Sequence, residues 1–61
     1  MEGIELKVWR VRAGLTQWDL ARELGLHPAR ISEMEKGRRS IPAELALRIH
    51  EILALRAPLG D

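Results

Sequence analysis

Two sets of side chains are equipped for chemistry with a charged or polar ligand. The first is the run His27, Arg30, Ser32 and Glu33, followed at once by the cations Lys36, Arg38 and Arg39. Guanidinium and ammonium groups donate to anions, imidazole and hydroxyl donate or accept, and an ionised carboxylate only accepts. Such a set can grip a polar surface, but it is not the machinery of a reaction. The chain shows no Ser/His/Asp constellation, no phosphate-cradling glycine loop and no metal-ligand cluster. Glu33 and Glu35, two positions apart on a helix, face different ways and cannot act together. With no cysteine and only His27 and His50 as further strong ligands, no metal and no cofactor is expected, and the chain reads as a non-enzyme. The second set is Arg10 and Glu35, opposite charges that each interrupt an otherwise apolar helical stripe.

Four helical segments position these residues, with no period-two strand pattern. The first covers roughly residues 4–13 and stops at Gly14, with Leu6, Trp9, Arg10 and Ala13 on one face and Trp9 in the core. The second starts after Thr16, where Thr16-x-x-Asp19 has the form of a capping box, and ends at Gly25. Its inner face is Gln17, Leu20, Ala21 and Leu24, and Trp18 is expected at the boundary, packed partly on a neighbour. The third runs from Pro28, suited to a first helical position, to Lys36, with His27 as N-cap and Gly37 as its end. Ile31, Met34 and Glu35 point one way. Ala29, Ser32, Glu33 and Lys36 point the other, with Arg30 on a flank and no large apolar group among them. The fourth starts at Pro42, carries Glu44 at its positive end, and runs to about Arg56 before Pro58 and Gly60. Ile41, Leu45, Ile49 and Ile52, flanked by Ala46 and Leu53, face the core. Ala43, Leu47, His50 and Ala54 form an opposite stripe, assigned to a subunit contact.

Arg10 and Glu35 then have an economical explanation. A single buried charge costs several kcal/mol, on the order of what a paired and hydrogen-bonded one recovers. The first and third helices are therefore expected to be clamped by an Arg10–Glu35 pair.

Sixty-one residues make one domain, residues 1–61. A chain this short buries only about 60% of its unfolded surface, and oligomerisation is a common remedy when disulfides are absent. An apolar fraction of 46% with 31% charged residues is that of a globular chain. The apolar runs are too short to span a membrane, and Met1 to Glu5 is acidic with no signal-type core behind it, so a cytoplasmic location is expected. A net charge of +1 is neutral about a nucleic-acid partner, but Lys36, Arg38 and Arg39 form a local basic cluster.

The central unit is thus two short helices, about 17–36, joined by a tight turn. Ala21, Gly25, Ile31 and Met34 stand where such a unit needs a small residue, a turn residue and two packing residues. Together with Leu6-Lys7-x-x-Arg10, Gly14-Leu15-Thr16-Gln17-x-x-Leu20-Ala21, Leu24-Gly25, Ile31-Ser32-x-x-Glu35-x-Gly37 and Ile41-Pro42, the pattern resembles the helix-turn-helix family of phage Cro and cI-type repressors, the XRE-like regulators. The resemblance covers about residues 6–53. It implies an all-α, compact four-helix bundle of lambda-repressor-like architecture, a first-helix arginine paired with a third-helix glutamate, and a glutamine opening the second helix that touches the DNA backbone. Gln17 stands at that last position. The opening His27-Pro28-Ala29 departs from the polar residues common in the family, since Pro28 cannot bond a base edge and Ala29 offers only a methyl group.

The function implied is sequence-specific binding of double-stranded DNA by a homodimeric transcriptional repressor, with the third helix in the major groove. The base-reading set is His27, Ala29, Arg30, Ser32 and Glu33. The backbone set is Gln17, Thr16, Lys36, Arg38 and Arg39. The alternative is an antitoxin-like module that binds a protein toxin and represses its own operon.

Overall fold

A computed structural model describes residues 1–56. It contains four helices: α1 (Gly3–Arg12), α2 (Gln17–Leu24), α3 (Pro28–Glu35) and α4 (Ala43–Arg56). Pro58 and Gly60, expected to end α4, lie outside the described residues. Among the described residues there is no strand, and no helix is long and apolar enough to cross a membrane. The fold class is all-α.

The ends of the first three helices follow one rule. Gly25 takes φ 70°, its N–H bonds the Arg22 carbonyl, and the Leu26 N–H reaches back to the Ala21 carbonyl at 2.9 Å. This is the Schellman arrangement, in which a left-handed residue lets two otherwise orphaned carbonyls be satisfied as the chain turns away. The same pair of bonds closes α1 (Gly14 to Val11, Leu15 to Arg10) and α3 (Gly37 to Met34, Arg38 to Glu33). At the start of α2 the box is complete: the Thr16 hydroxyl accepts from the Asp19 N–H at 3.0 Å, and the Asp19 carboxylate accepts from the Thr16 N–H at 2.9 Å.

Leu6, Leu20, Ala21, Leu24, Ile31, Met34, Ile49 and Leu53 form the buried core, drawn from all four helices. Ala13, Leu15, Leu26, Ile41, Leu45 and Ile52 pack around it. α3 packs against both α1 and α2, and α4 closes the bundle over α2. On α4 the fully buried pair is Ile49 and Leu53, so the inward face is turned slightly from the expected stripe toward Leu53.

Two expectations fail. Trp9 is 40% exposed and lies outside the core. α1 turns toward Gly3, whose Cα sits so close to α3 that an added Cβ would lie 2.1 Å from the Met34 carbonyl oxygen. A face centred on Gly3, Leu6, Arg10 and Ala13 leaves Trp9 about 80° off axis, by the helical period. There the Arg12 guanidinium stacks over its ring, 5.6 Å from the centroid. Trp18 is 68% exposed rather than a boundary residue, because Leu20, Ala21 and Leu24 turn the opposite side of α2 inward.

Candidate nucleic-acid interface

The candidate interface is centred on α3. α3 is two turns long, too short to persist by propensity alone, so its position depends on tertiary anchors. Ile31 and Met34 supply the apolar ones, both essentially fully buried. Glu35 supplies a polar one. Its carboxylate accepts from Arg10 Nε at 2.5 Å and Nη2 at 3.2 Å, and from Gln17 Nε2 at 3.0 Å. Arg10 spends Nη1 on the Leu15 carbonyl at 2.7 Å, which ties the α1–α2 turn into the same network. Side-chain exposure is 11% for Arg10 and 3% for Glu35. One carboxylate therefore fastens α3 to α1 through Arg10 and to α2 through Gln17. Every buried side-chain polar atom among the described residues has a partner.

The opposite side of α3 is open. Ala29, Arg30 and Lys36 are exposed, and Ser32 and Glu33 are half-buried. His27 is exposed and caps the helix: its Nδ1 accepts from the Ala29 N–H at 3.1 Å. An imidazole that accepts through Nδ1 while neutral carries its proton on Nε2, so it faces outward as a donor. The N-terminus of α3 has few amides to spare. Pro28 has none, Ala29 bonds the His27 ring, and Arg30 bonds the His27 carbonyl at 2.9 Å. α2 differs: among the described residues no partner is seen for the backbone N–H of Gln17 or Trp18, the first two of that helix.

The remaining basic residues follow α3. Arg38 and Arg39 are exposed, and Arg39 Nε donates to Glu33 Oε1 at 3.2 Å. Of the residues assigned from sequence to base reading and to the DNA backbone, Ala29, Arg30, Ser32 and Glu33 lie on α3, His27 and Lys36 cap its two ends, Arg38 and Arg39 follow it, and Thr16 and Gln17 stand at the start of α2. Two of them are already engaged within the protein, Thr16 in its cap and Gln17 with Glu35. Ala43, Leu47, His50 and Ala54 are all exposed on α4. Asp19 is held below the ordinary carboxylate range by the backbone N–H of Thr16, with the Thr16 side chain adding to it.

Gly3 was not legible as a site-building residue. The available signal was its position three residues before Leu6, on the buried stripe, where a glycine marks a close backbone approach. The Glu33–Arg39 pair was likewise missed, since residues six apart across a helix end meet only through the geometry of the turn.

A family model described as a helix-turn-helix domain matches residues 3–59, almost the whole chain. No match was found among curated proteins or among solved structures. With α2, the Gly25 turn and α3 in the arrangement described, this chain belongs to the helix-turn-helix domain family.

Proposed function

We propose that this chain binds double-stranded DNA sequence-specifically as a transcriptional repressor and places α3 in the major groove. The observation that carries the reading is the two-sidedness of α3. Its inner side is fixed by Ile31, Met34 and the Glu35 network, and its outer side offers hydrogen-bonding groups with no large apolar residue. In this reading Arg30 grips guanine O6/N7, Glu33 accepts from an amino group, and His27 and Ser32 bond bases or phosphates, while Ala29 meets a thymine methyl. The free amides of α2, Thr16 and the second N–H of the Gln17 amide hold a phosphate. Lys36, Arg38 and Arg39 add sequence-independent attraction.

A module this small covers one half-site, and two copies on half-sites a helical turn apart would complete the footprint. The α4 stripe of Ala43, Leu47, His50 and Ala54 is the surface assigned to that contact. Analytical ultracentrifugation of wild type and Leu47→Glu tests it: a dimer that becomes monomeric supports the assignment, and an unaffected dimer removes it. A protein partner is the second reading. Its specific support is the exposed ridge Ile4, Val8 and Val11 on α1, at i, i+4, i+7 spacing, which DNA binding does not require.

The test of the principal reading is selection from a random duplex library at two salt concentrations. Enrichment of a motif at both supports sequence reading. Failure to enrich any duplex overturns it and favours the protein-partner reading.

A further inference from the structure

Glu33 is out of place on a surface meant for a polyanion. It is the one acid on the outward side of α3, since Glu35 is turned inward and consumed by Arg10 and Gln17. Its charge is met by Arg39, whose Nε donates to Oε1 at 3.2 Å. The meeting is prepared by the backbone. Gly37, at φ 77°, reverses the chain, and the Arg38 N–H then bonds the carbonyl of Glu33 itself at 2.9 Å. Arg39 is the next residue along. The turn that ends α3 therefore fixes both partners of the pair relative to one another.

Both side chains are about half exposed, 50% for Arg39 and 47% for Glu33. An ion pair that wet contributes little to the stability of the free protein. Its consequences appear when a ligand excludes the water around it and the local dielectric falls. The contact uses one carboxylate oxygen, so Oε2 remains as an acceptor. A guanine or thymine edge presents only acceptors in the major groove at O6, N7 or O4, and would leave that oxygen desolvated and unpaired. Cytosine N4 and adenine N6 present a donor.

We propose that Arg39 is a positioning residue for Glu33, holding its carboxylate so that Oε2 accepts from the amino group of a cytosine or adenine in the major groove. The inference rests on the reading of α3 as the base-reading helix and gives Arg39 a role that Lys36 and Arg38 do not share. Those two attract phosphates whatever the sequence. Arg39 adds to the same attraction a part in the choice of one base pair.

The test is affinity for a panel of duplexes in which each position of the selected motif is varied singly, for wild type, Arg39→Ala, Arg39→Lys, Glu33→Gln and Arg38→Ala. Circular dichroism of each variant establishes that these exposed substitutions leave the fold intact. Wild type is expected to prefer cytosine or adenine at one position by roughly tenfold, the usual size of a single mismatch effect. Arg39→Ala flattens that position and no other, Arg39→Lys restores part of it, and Glu33→Gln flattens the same position. Arg38→Ala weakens all duplexes alike. Even loss across the panel for Arg39→Ala, with the preference retained, overturns the proposal while leaving α3 as the reader. Absence of any motif for wild type overturns both.

Discussion

Arg10 and Glu35 meet through two nitrogen–oxygen contacts of 2.5 and 3.2 Å although 25 residues separate them in the chain. The two side chains are 11% and 3% exposed, and Gln17 adds a third donor to the same carboxylate. Buried ion pairs of this kind bring docking specificity more than net stability, because desolvation offsets most of the attraction. What they punish is the loss of one partner. Glu35→Gln is expected to destabilise the domain by about 3 kcal/mol, whereas Arg10→Met with Glu35→Leu comes out near neutral. Urea denaturation of the three proteins checks this. Equal stability of Glu35→Gln and wild type would remove the clamp.

The glycines separate into two mechanisms that substitution can tell apart. Gly3→Ala puts a Cβ against the Met34 and Glu35 carbonyl oxygens, at 2.1 and 2.7 Å, which are backbone atoms and yield only if α1 moves away from α3. A loss of about 1–3 kcal/mol is expected. At Gly25 an added Cβ meets nothing within 4 Å, so Gly25→Ala costs only the left-handed conformation, about 1–2 kcal/mol. Asn tolerates that conformation, so Gly25→Asn recovers part of the loss and Gly3→Asn recovers none. Thermal denaturation of the four variants reads both effects.

Asp19 makes the α2 cap sensitive to acid. Its carboxyl is held below the ordinary value of 3.8 by the Thr16 N–H first and the Thr16 side chain second. A depressed carboxylate contributes stability that is present above its unfolded-state pKa and lost as the pH falls through the folded one. The stability difference between wild type and Asp19→Asn is therefore expected to be constant near neutrality and to shrink below about pH 4. A difference that stays flat or grows down to about pH 2.5, more than a unit below the ordinary value of 3.8, contradicts the assignment.

His27 has a tautomer that can be observed directly. Because Nδ1 accepts from the Ala29 N–H, the proton of the neutral ring sits on Nε2. Long-range nitrogen–proton correlation spectra of the neutral ring are expected to show an unprotonated Nδ1, and His27→Ala should lose about 1 kcal/mol while His27→Ser loses little. A protonated Nδ1 in the neutral ring would mean that the cap does not form.

Much of the architecture was readable in one dimension because it rests on local chemistry. Thr16 with Asp19, Pro28 after His27, and Gly14, Gly25 and Gly37 each act within a few residues of themselves. A lone charge in each of two apolar stripes is also visible to a periodic reading. What could not be read were rotations and returns of the chain. Trp9 satisfied the periodicity of α1 as well as Ala13 did, and only the approach of Gly3 to α3 decided which side of the stripe was buried. Trp18 failed for a related reason: large apolar area does not bring a residue inward when Leu20, Ala21 and Leu24 already fill the space. On the candidate interface, composition named the polar groups but not their engagements. That Glu33 is met by Arg39 depends on where the chain goes after Gly37.

Amide chemical-shift mapping tests most directly whether α3 is the reader. A selected duplex is added to nitrogen-labelled protein and the perturbed residues are identified. The expected result is a set confined to Thr16–Trp18, residues 27–36 and the basic segment to Arg39, with Ile4, Val8 and Val11 on the outer side of α1 unmoved. Perturbation centred on Ile4, Val8 and Val11, with Ala29, Arg30 and Glu33 silent, would contradict it.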